Sequence, residues 1–328
     1  MKSFKKILCV VEPKENCKPA LESAVTLAEN NQTDLAVISV IEGNVGDTEI
    51  SKNEIIATDL QTMVARMHEQ EIESLVKTYR KRIKIQTKVL QGIPFLEIVR
   101  EVLRYKYDLV VKTTETQDWL GHIFNSNDMH LLRKCPCPIW MIKPKTPMSC
   151  RRILAAVDVD DNCPPVELGT RNMLNQMILE IAGSLALSEF AALHIVHAWE
   201  AAGESLIRGR TSFTSASDDE IAIYVEQVRV QHKKNLDILI HDVANSLGQG
   251  AMDYLKPQIH LIKGMARKEI PILAKQIETD LIVMGTVART GIPGFIMGNT
   301  AETILNQINC SVLAIKPVGF ITPITLED

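Results

Sequence analysis

The feature that most constrains this chain is that its plan is written twice. KKILCVVEP near the start and RRILAAVDVD from Arg151 each set two basic residues before an apolar run that ends on a carboxylate, Glu12 in one and Asp158 in the other. A helical stretch follows, Pro19–Asn30 against Asn172–Ala186, then a second apolar run, Leu35–Glu42 against Ala191–Glu200. Ile83–Gly92 is echoed by Gln258–Gly264, and after each glycine a helix begins, PFLEIVREVLRY or ARKEIPILAKQI. An aspartate introduces the next strand of each half, Tyr107–Thr113 and Thr279–Thr286, and the halves close on CPIWMIKP and CSVLAIKP. Landmarks recurring in one order over this span mark a duplicated domain. The halves are residues 1–146 and 151–317, joined by KPKTPMSC and followed by a tail, 318–328.

The run lengths fix the fold class. Short, nearly continuous apolar strands alternating with helical stretches belong to α/β domains, in which helices cover both faces of a mostly parallel sheet. Two tandem, open, five-stranded sheets are therefore expected, with right-handed crossovers. Helices over Leu60–Tyr79 and Asp219–Ser246 fill the remaining gaps, with apolar residues at three- and four-residue spacing. The second copy is longer mainly through GESLIRGRTSFTSASDDE, a Gly-, Ser- and Thr-rich surface loop in which Asp218 is placed to cap the next helix. Such a loop lies beside the strand ends where α/β sheets bind ligands, and a tolerated insertion is an equal alternative.

Composition narrows the partners. A formal charge of −4, from 36 basic and 40 acidic residues, gives no general attraction to nucleic acid or anionic membrane. No apolar stretch approaches a membrane span, and Ile7–Val11 is too short for a signal-peptide core, so a cytoplasmic protein is expected. Seven cysteines in 328 residues make no disulfide framework. Cys135 and Cys137 in RKCPCPIW are the one close pair; without a neighbouring Cys/His cluster they read as turn and strand packing rather than as a metal site.

The stretch that carries most chemistry is MGTVARTGIPGFIMGNTAETIL, Met284–Leu305. A strand ends at Met284, a glycine-bearing loop follows, and Gly298, Asn299 and Thr300 enter a helix with Glu302 in its first turn. Gly291, Gly294 and Gly298 allow close backbone approach or positive φ, and the free N–H groups of the helix start can hold phosphate oxygens. Thr300 adds a hydroxyl and Arg289 a basic partner. The alternative is that the glycines only make turns and Asn299 or Thr300 only caps its helix. No Gly-Lys-Ser/Thr triplet is present, and no dinucleotide fingerprint follows either first strand.

The tandem plan, the opening strand ILAAVD and the loop GTVARTGIPGFIMGNTAE followed by CSVLAIKP resemble the universal stress protein family in its two-domain, E-type form, over nearly the whole chain. The resemblance implies an adenine nucleotide alpha hydrolase-like fold with strand order 3-2-1-4-5. In nucleotide-binding members the loop reads Gly-x-x-Gly, nine residues, then Gly-Ser/Thr. Here Gly285 and Gly298 match the outer glycines, while Ala288 replaces the second glycine and Asn299 the hydroxyl residue. Alanine adds a Cβ near the phosphate path and asparagine an amide in place of a compact hydroxyl, which Thr300 partly restores. The family aspartate that contacts the nucleoside falls on Asp158, beside Val159; a turn residue is its other reading. The implied ligand is ATP or another adenine nucleotide, with Mg2+, held by Asp158, Val159, His197, Gly285, Thr286, Ala288, Arg289, Gly298, Asn299 and Thr300.

The equivalent region of the first half, Thr113–Lys134, has Gly121 as its only glycine and lacks a phosphate cradle. The first domain is therefore expected to be degenerate as a nucleotide site, with Lys112, where the second half has Met284, reaching into its cleft and Glu12 standing where Asp158 does. His122 and His130 read as surface or capping residues. His194 and His197 alternate along one strand, face opposite sides and cannot share a metal; His197 is nearer the cleft, and local hydrogen bonding is its main reading.

No catalytic constellation is present, so a stress-response protein that binds a nucleotide or related phosphate-bearing ligand is expected, non-enzymatic or weakly ATP-hydrolysing through Asp158. One alternative is an interaction scaffold in which Ile139–Ile142 and Val312–Ile315 pair the two domains internally, with or without further homodimerisation. Another is binding of an amphipathic phosphate-containing metabolite by Ile292, Pro293, Phe295, Ile296 and Met297.

Overall fold

The computed structural model describes residues 4–12, 17–42, 54–114, 124, 126–144, 150–204, 207, 217–286 and 297–326, without the side chains of 54–60, 166 and 249. In the first half, β1 (Ile7–Val10), α1 (Lys18–Asn31), β2 (Leu35–Ile41), α2 (Glu54–Val76), β3 (Ile85–Gln91), α3 (Pro94–Tyr105), β4 (Leu109–Thr113), α4 (Ser126–Lys134) and β5 (Ile139–Ile142) alternate as the pattern requires. The second half repeats them as β6 (Arg152–Ala156), α5 (Pro165–Glu189), β7 (Ala192–Trp199), α6 (Asp218–Leu247), α7 (Gln249–Leu255), β8 (Gln258–Lys263), α8 (Ala266–Gln276), β9 (Leu281–Gly285), α9 (Asn299–Gln307) and β10 (Ser311–Ile315).

Each half has the strand order 3-2-1-4-5, but the two sheets are not separate. They form one ten-stranded sheet, β3-β2-β1-β4-β5-β10-β9-β6-β7-β8. Every pairing within a half is parallel, while β5 and β10 meet antiparallel, with Met141 opposite Val312, Trp140 opposite Leu313 and Ile139 opposite Ala314. Side chains alternate across this seam: Trp140 and Leu313 enter one core, Met141 and Val312 the other, and each core runs through both halves. The first core lies under α1, α2, α5 and α6, the second under α3, α4, α8 and α9.

The repeated landmarks have repeated physical causes. Asp108 accepts the backbone N–H of Lys5 at 2.7 Å and of Lys6 at 2.9 Å; Asp280 does the same for Arg151 at 2.8 Å and Arg152 at 2.9 Å. Each aspartate thus anchors the entry to the strand that opens its half. Gly92 and Gly264 both hold φ of 141°, and an added Cβ would meet Glu97 at 3.0 Å or Glu269 at 2.8 Å, in the first turn of the next helix.

Several boundaries differ from those the sequence implied. α5 starts at Pro165, not Asn172, because Pro164 and Pro165 form its N-terminus and proline is accommodated at the first helical position. The cap of α6 is Ser217, not Asp218: Ser217 Oγ accepts the Glu220 N–H and Glu220 accepts the Ser217 N–H, a reciprocal capping box. β9 runs on to Gly285.

Candidate functional site

In an open parallel sheet the cleft lies at the carboxyl ends of the two strands where the order reverses. That point falls between β1 and β4 in the first half and between β6 and β9 in the second. Lys112 opposite Val10 and Met284 opposite Ala156 occupy equivalent positions there.

In the first half this position is filled by charge. Lys112 is 3% exposed, and its Nζ lies 2.9 Å from Glu12 Oε1 and 3.0 Å from Asp128 Oδ1, Asp128 being fully buried. An ammonium clamped by two carboxylates satisfies itself and offers a phosphate nothing; it also explains a lysine at the end of a core strand. His130 packs its ring on Phe95 at 4.8 Å rather than capping a helix. Gly121 and His122 lie outside the described residues.

In the second half the turn that follows the first strand is fixed by side chains of α5. Asn175 on α5 accepts the Asp158 N–H at 3.1 Å and donates to the Asp158 carbonyl at 2.7 Å, fixing the turn after β6. The Asp158 side chain, 61% exposed, takes Arg171 Nη1 at 3.2 Å. Arg171 also donates to the Asp160 carbonyl at 2.9 Å. Neither Asn175 nor Arg171 stood out in the sequence; with α5 placed as starting at Asn172, Arg171 fell outside the element that positions it.

His197 is 1% exposed, with both ring nitrogens engaged. The Val157 carbonyl can only accept, so Nδ1–H donates to it at 3.2 Å and Nε2 accepts from His232 Nδ1 at 3.0 Å. Burial holds the imidazole below its ordinary value, so it is neutral at pH 7. His197 is therefore part of the floor rather than a ligand group, the local hydrogen bonding that its strand position suggested. Val159 is buried, its carbonyl accepts from Asn235 Nδ2 at 3.1 Å, and its amide points at His197 Nδ1 from 3.5 Å. His194 lies on the other face of β7, bonded to His260 Nε2 at 3.0 Å.

On the β9 side, Gly285 packs closely against α5: a Cβ there would lie 2.8 Å from Leu174 Cδ2, so that side chain would have to shift. Thr286 is fully buried, and its hydroxyl accepts from Lys316 Nζ at 2.8 Å, so it faces the protein interior and not a ligand. Its carbonyl accepts the Gly298 N–H at 3.2 Å, returning the chain to the sheet. Gly298 is the N-cap of α9, with φ of −60° and no side-chain cap, so neither positive φ nor capping by Asn299 or Thr300 applies. Asn299 and Thr300 are exposed in the first turn. The first N–H groups of a helix have no partner within it, and α9 starts where the chain returns to the end of β9. Met297 is buried in the second core. Ala288, Arg289, Gly291, Ile292, Pro293, Gly294, Phe295 and Ile296 lie outside the described residues.

The model of the universal stress protein family matches residues 3–143 and again residues 172–316, one match to each half. The chain belongs to the universal stress protein family. It is a tandem member similar over its full length to the E-type proteins: 28% identical to Universal stress protein E of Escherichia coli (strain K12), covering 100% of this chain and 99% of that protein. It is 29% identical to the Universal stress protein E homolog of Haemophilus influenzae, covering 96% and 98%. The fold agrees with solved structures of a putative universal stress protein from Pseudomonas aeruginosa UCBPP-PA14 (TM-score 0.68, 24% identity, covering 96% of this chain and 94% of that one). A universal stress protein from Archaeoglobus fulgidus DSM 4304 shares it at TM-score 0.61 and 17% identity, covering 95% and 98%. Among the described residues of this universal stress protein, no helix is long and apolar enough to cross a membrane.

Proposed function

We propose that this universal stress protein binds an adenine nucleotide, ATP foremost, in its second half only, and that the first half has given up that role. The observation that carries the reading is the helix start at Gly298: a nine-residue helix opens without a side-chain cap at the switch point of β6 and β9. Backbone donors and the positive end of the helix dipole converge there, an arrangement that favours phosphate. Thr300 adds a hydroxyl, and Arg289 and Ala288 remain candidates from the sequence. On the opposite side, Asp158 presents carboxylate oxygens to ribose hydroxyls, with Val159 beside it. Mg2+ would be held chiefly by the phosphates, with Asp158 as the carboxylate within the cleft, since among the described residues no three His, Cys, Asp or Glu gather around one point. The reading is of a binding protein; any ATP hydrolysis would rest on Asp158 acting on a metal-bound nucleotide.

Thr300→Glu tests it cleanly. An acid in the first turn suits the helix dipole, so the fold is kept, while a bound phosphate would meet a like charge. Titration calorimetry with Mg-ATP is expected to show one site per chain in the parent and at least a tenfold weaker one in the variant. Ligand at 100 times Kd would add about 2.7 kcal/mol of stability to the parent. A parent protein that neither binds nor gains melting temperature at millimolar ATP overturns the reading.

A further inference from the structure

Beneath the seam between the halves lies a group of polar side chains that nucleotide binding does not use. Cys135 and Cys137 place their sulfurs 3.6 Å apart, both buried, at the end of α4. Lys316 comes across from the end of β10, buried, and donates to the Leu132 carbonyl of α4 and to Thr286 Oγ1. Residues two apart in sequence span at most about 7 Å between Cα atoms. The bend at Pro136 and Cys137 shortens this toward the range a disulfide accepts.

We propose that Cys135 and Cys137 are a peroxide-sensitive dithiol that closes to a disulfide within the folded protein, with the Lys316 cation as partner of the attacking thiolate. The balance is simple. The Cys135 thiolate attacks one oxygen of a hydroperoxide such as H2O2, forming S–O and breaking O–O, and the departing hydroxide takes up the proton that Cys135 released. The Cys137 sulfur then attacks the sulfenic sulfur, forming S–S and breaking S–O, and the second hydroxide leaves with the Cys137 proton. Two thiols and one hydrogen peroxide become one disulfide and two waters; sulfur loses two electrons and peroxide gains them.

Three other thiols are shifted only upward. Burial pushes Cys150 and Cys310 up to about 12 and raises Cys9 further. Burial would raise Cys135 as well, but the Cys137 S–H and the Lys316 charge reverse the direction and hold it below its ordinary value. Cys137 is correspondingly pushed well above. Burial lowers Lys316 to about 8, which leaves it largely protonated at neutral pH.

The test uses the full chain with its seven cysteines. After brief exposure to stoichiometric hydrogen peroxide and alkylation, peptide mass spectrometry is expected to find residues 135–137 lighter by two hydrogens, and a dithiol reductant should reverse the change. Cys163, the partly exposed thiol, should still alkylate. Cys135→Ser should abolish the link, and Cys137→Ser should stop at a sulfenic acid that a dimedone probe captures. Lys316→Met should slow the first step at pH 7 by at least fivefold. Peroxide that leaves 135 and 137 as free thiols, or closes them only at a rate following global unfolding as urea is added, overturns the proposal. Neither result depends on whether ATP binds.

Discussion

At the scale of single residues, the two halves show how one exchange decides whether a cleft survives. Lys112 between Glu12 and Asp128 is a buried ionic cluster, and removing its cation strands two carboxylates, one fully buried. Lys112→Met, the residue type of the second half, should therefore cost about 3–5 kcal/mol in urea unfolding, much of it regained when Asp128→Asn is added. The histidines make a second prediction, about pH. His194, His197 and His260 are all held below the ordinary value of 6.5, chiefly by burial. A histidine whose native value is depressed binds fewer protons folded than unfolded, so stability rises with pH through that window. The protein should lose melting temperature as pH falls from about 7 through 6.5 toward the native values. Replacing His194 and His260 together by glutamine should flatten that slope, as calorimetry across the range would show.

At the scale of elements, what the sequence revealed and what it hid divide along a physical line. Strands were legible because a sheet covered on both faces needs unbroken apolar runs, and the repeat supplied each run twice. Helix starts were less legible, since a cap depends on geometry as well as residue type: Asp218 and Ser217 both suit the role, and only the reciprocal bond to Glu220 selects Ser217. Ser217→Ala should cost about 0.5–2 kcal/mol and speed hydrogen exchange in the first turn of α6. Asp158 follows β6, and Gly298, bonded to the Thr286 carbonyl just past β9, leads Asn299 and Thr300 into α9, so the four lie at the ends of neighbouring strands. Thr286 and His197 were not available, because a residue one step past a strand or inside it can face either side, and their partners Lys316 and His232 lie far away in sequence. Arg171 and Asn175 carried no motif, and Lys316 stood out only as part of the closing landmark CSVLAIKP.

At the scale of the molecule, the antiparallel seam makes two domains into one sheet with two shared cores. Arg133 of α4 meets Glu302 of α9 at 2.6 Å, and Lys143 donates its N–H to Ser311 Oγ at 3.1 Å, so polar contacts tie the halves on either side of the strands. Such a body should unfold as a unit. Trp140 in β5 and Trp199 in β7 report on different halves, and with Trp119 replaced by phenylalanine, single-tryptophan variants should give coincident urea midpoints. Ala314→Pro, which removes a donor from a strand paired on both sides, should lower both midpoints together.

Because β5 and β10 run in opposite directions, the ends where their strands finish point to opposite rims of the molecule. A partner reaching over the Lys112 rim would therefore approach the molecule from the side opposite the proposed nucleotide.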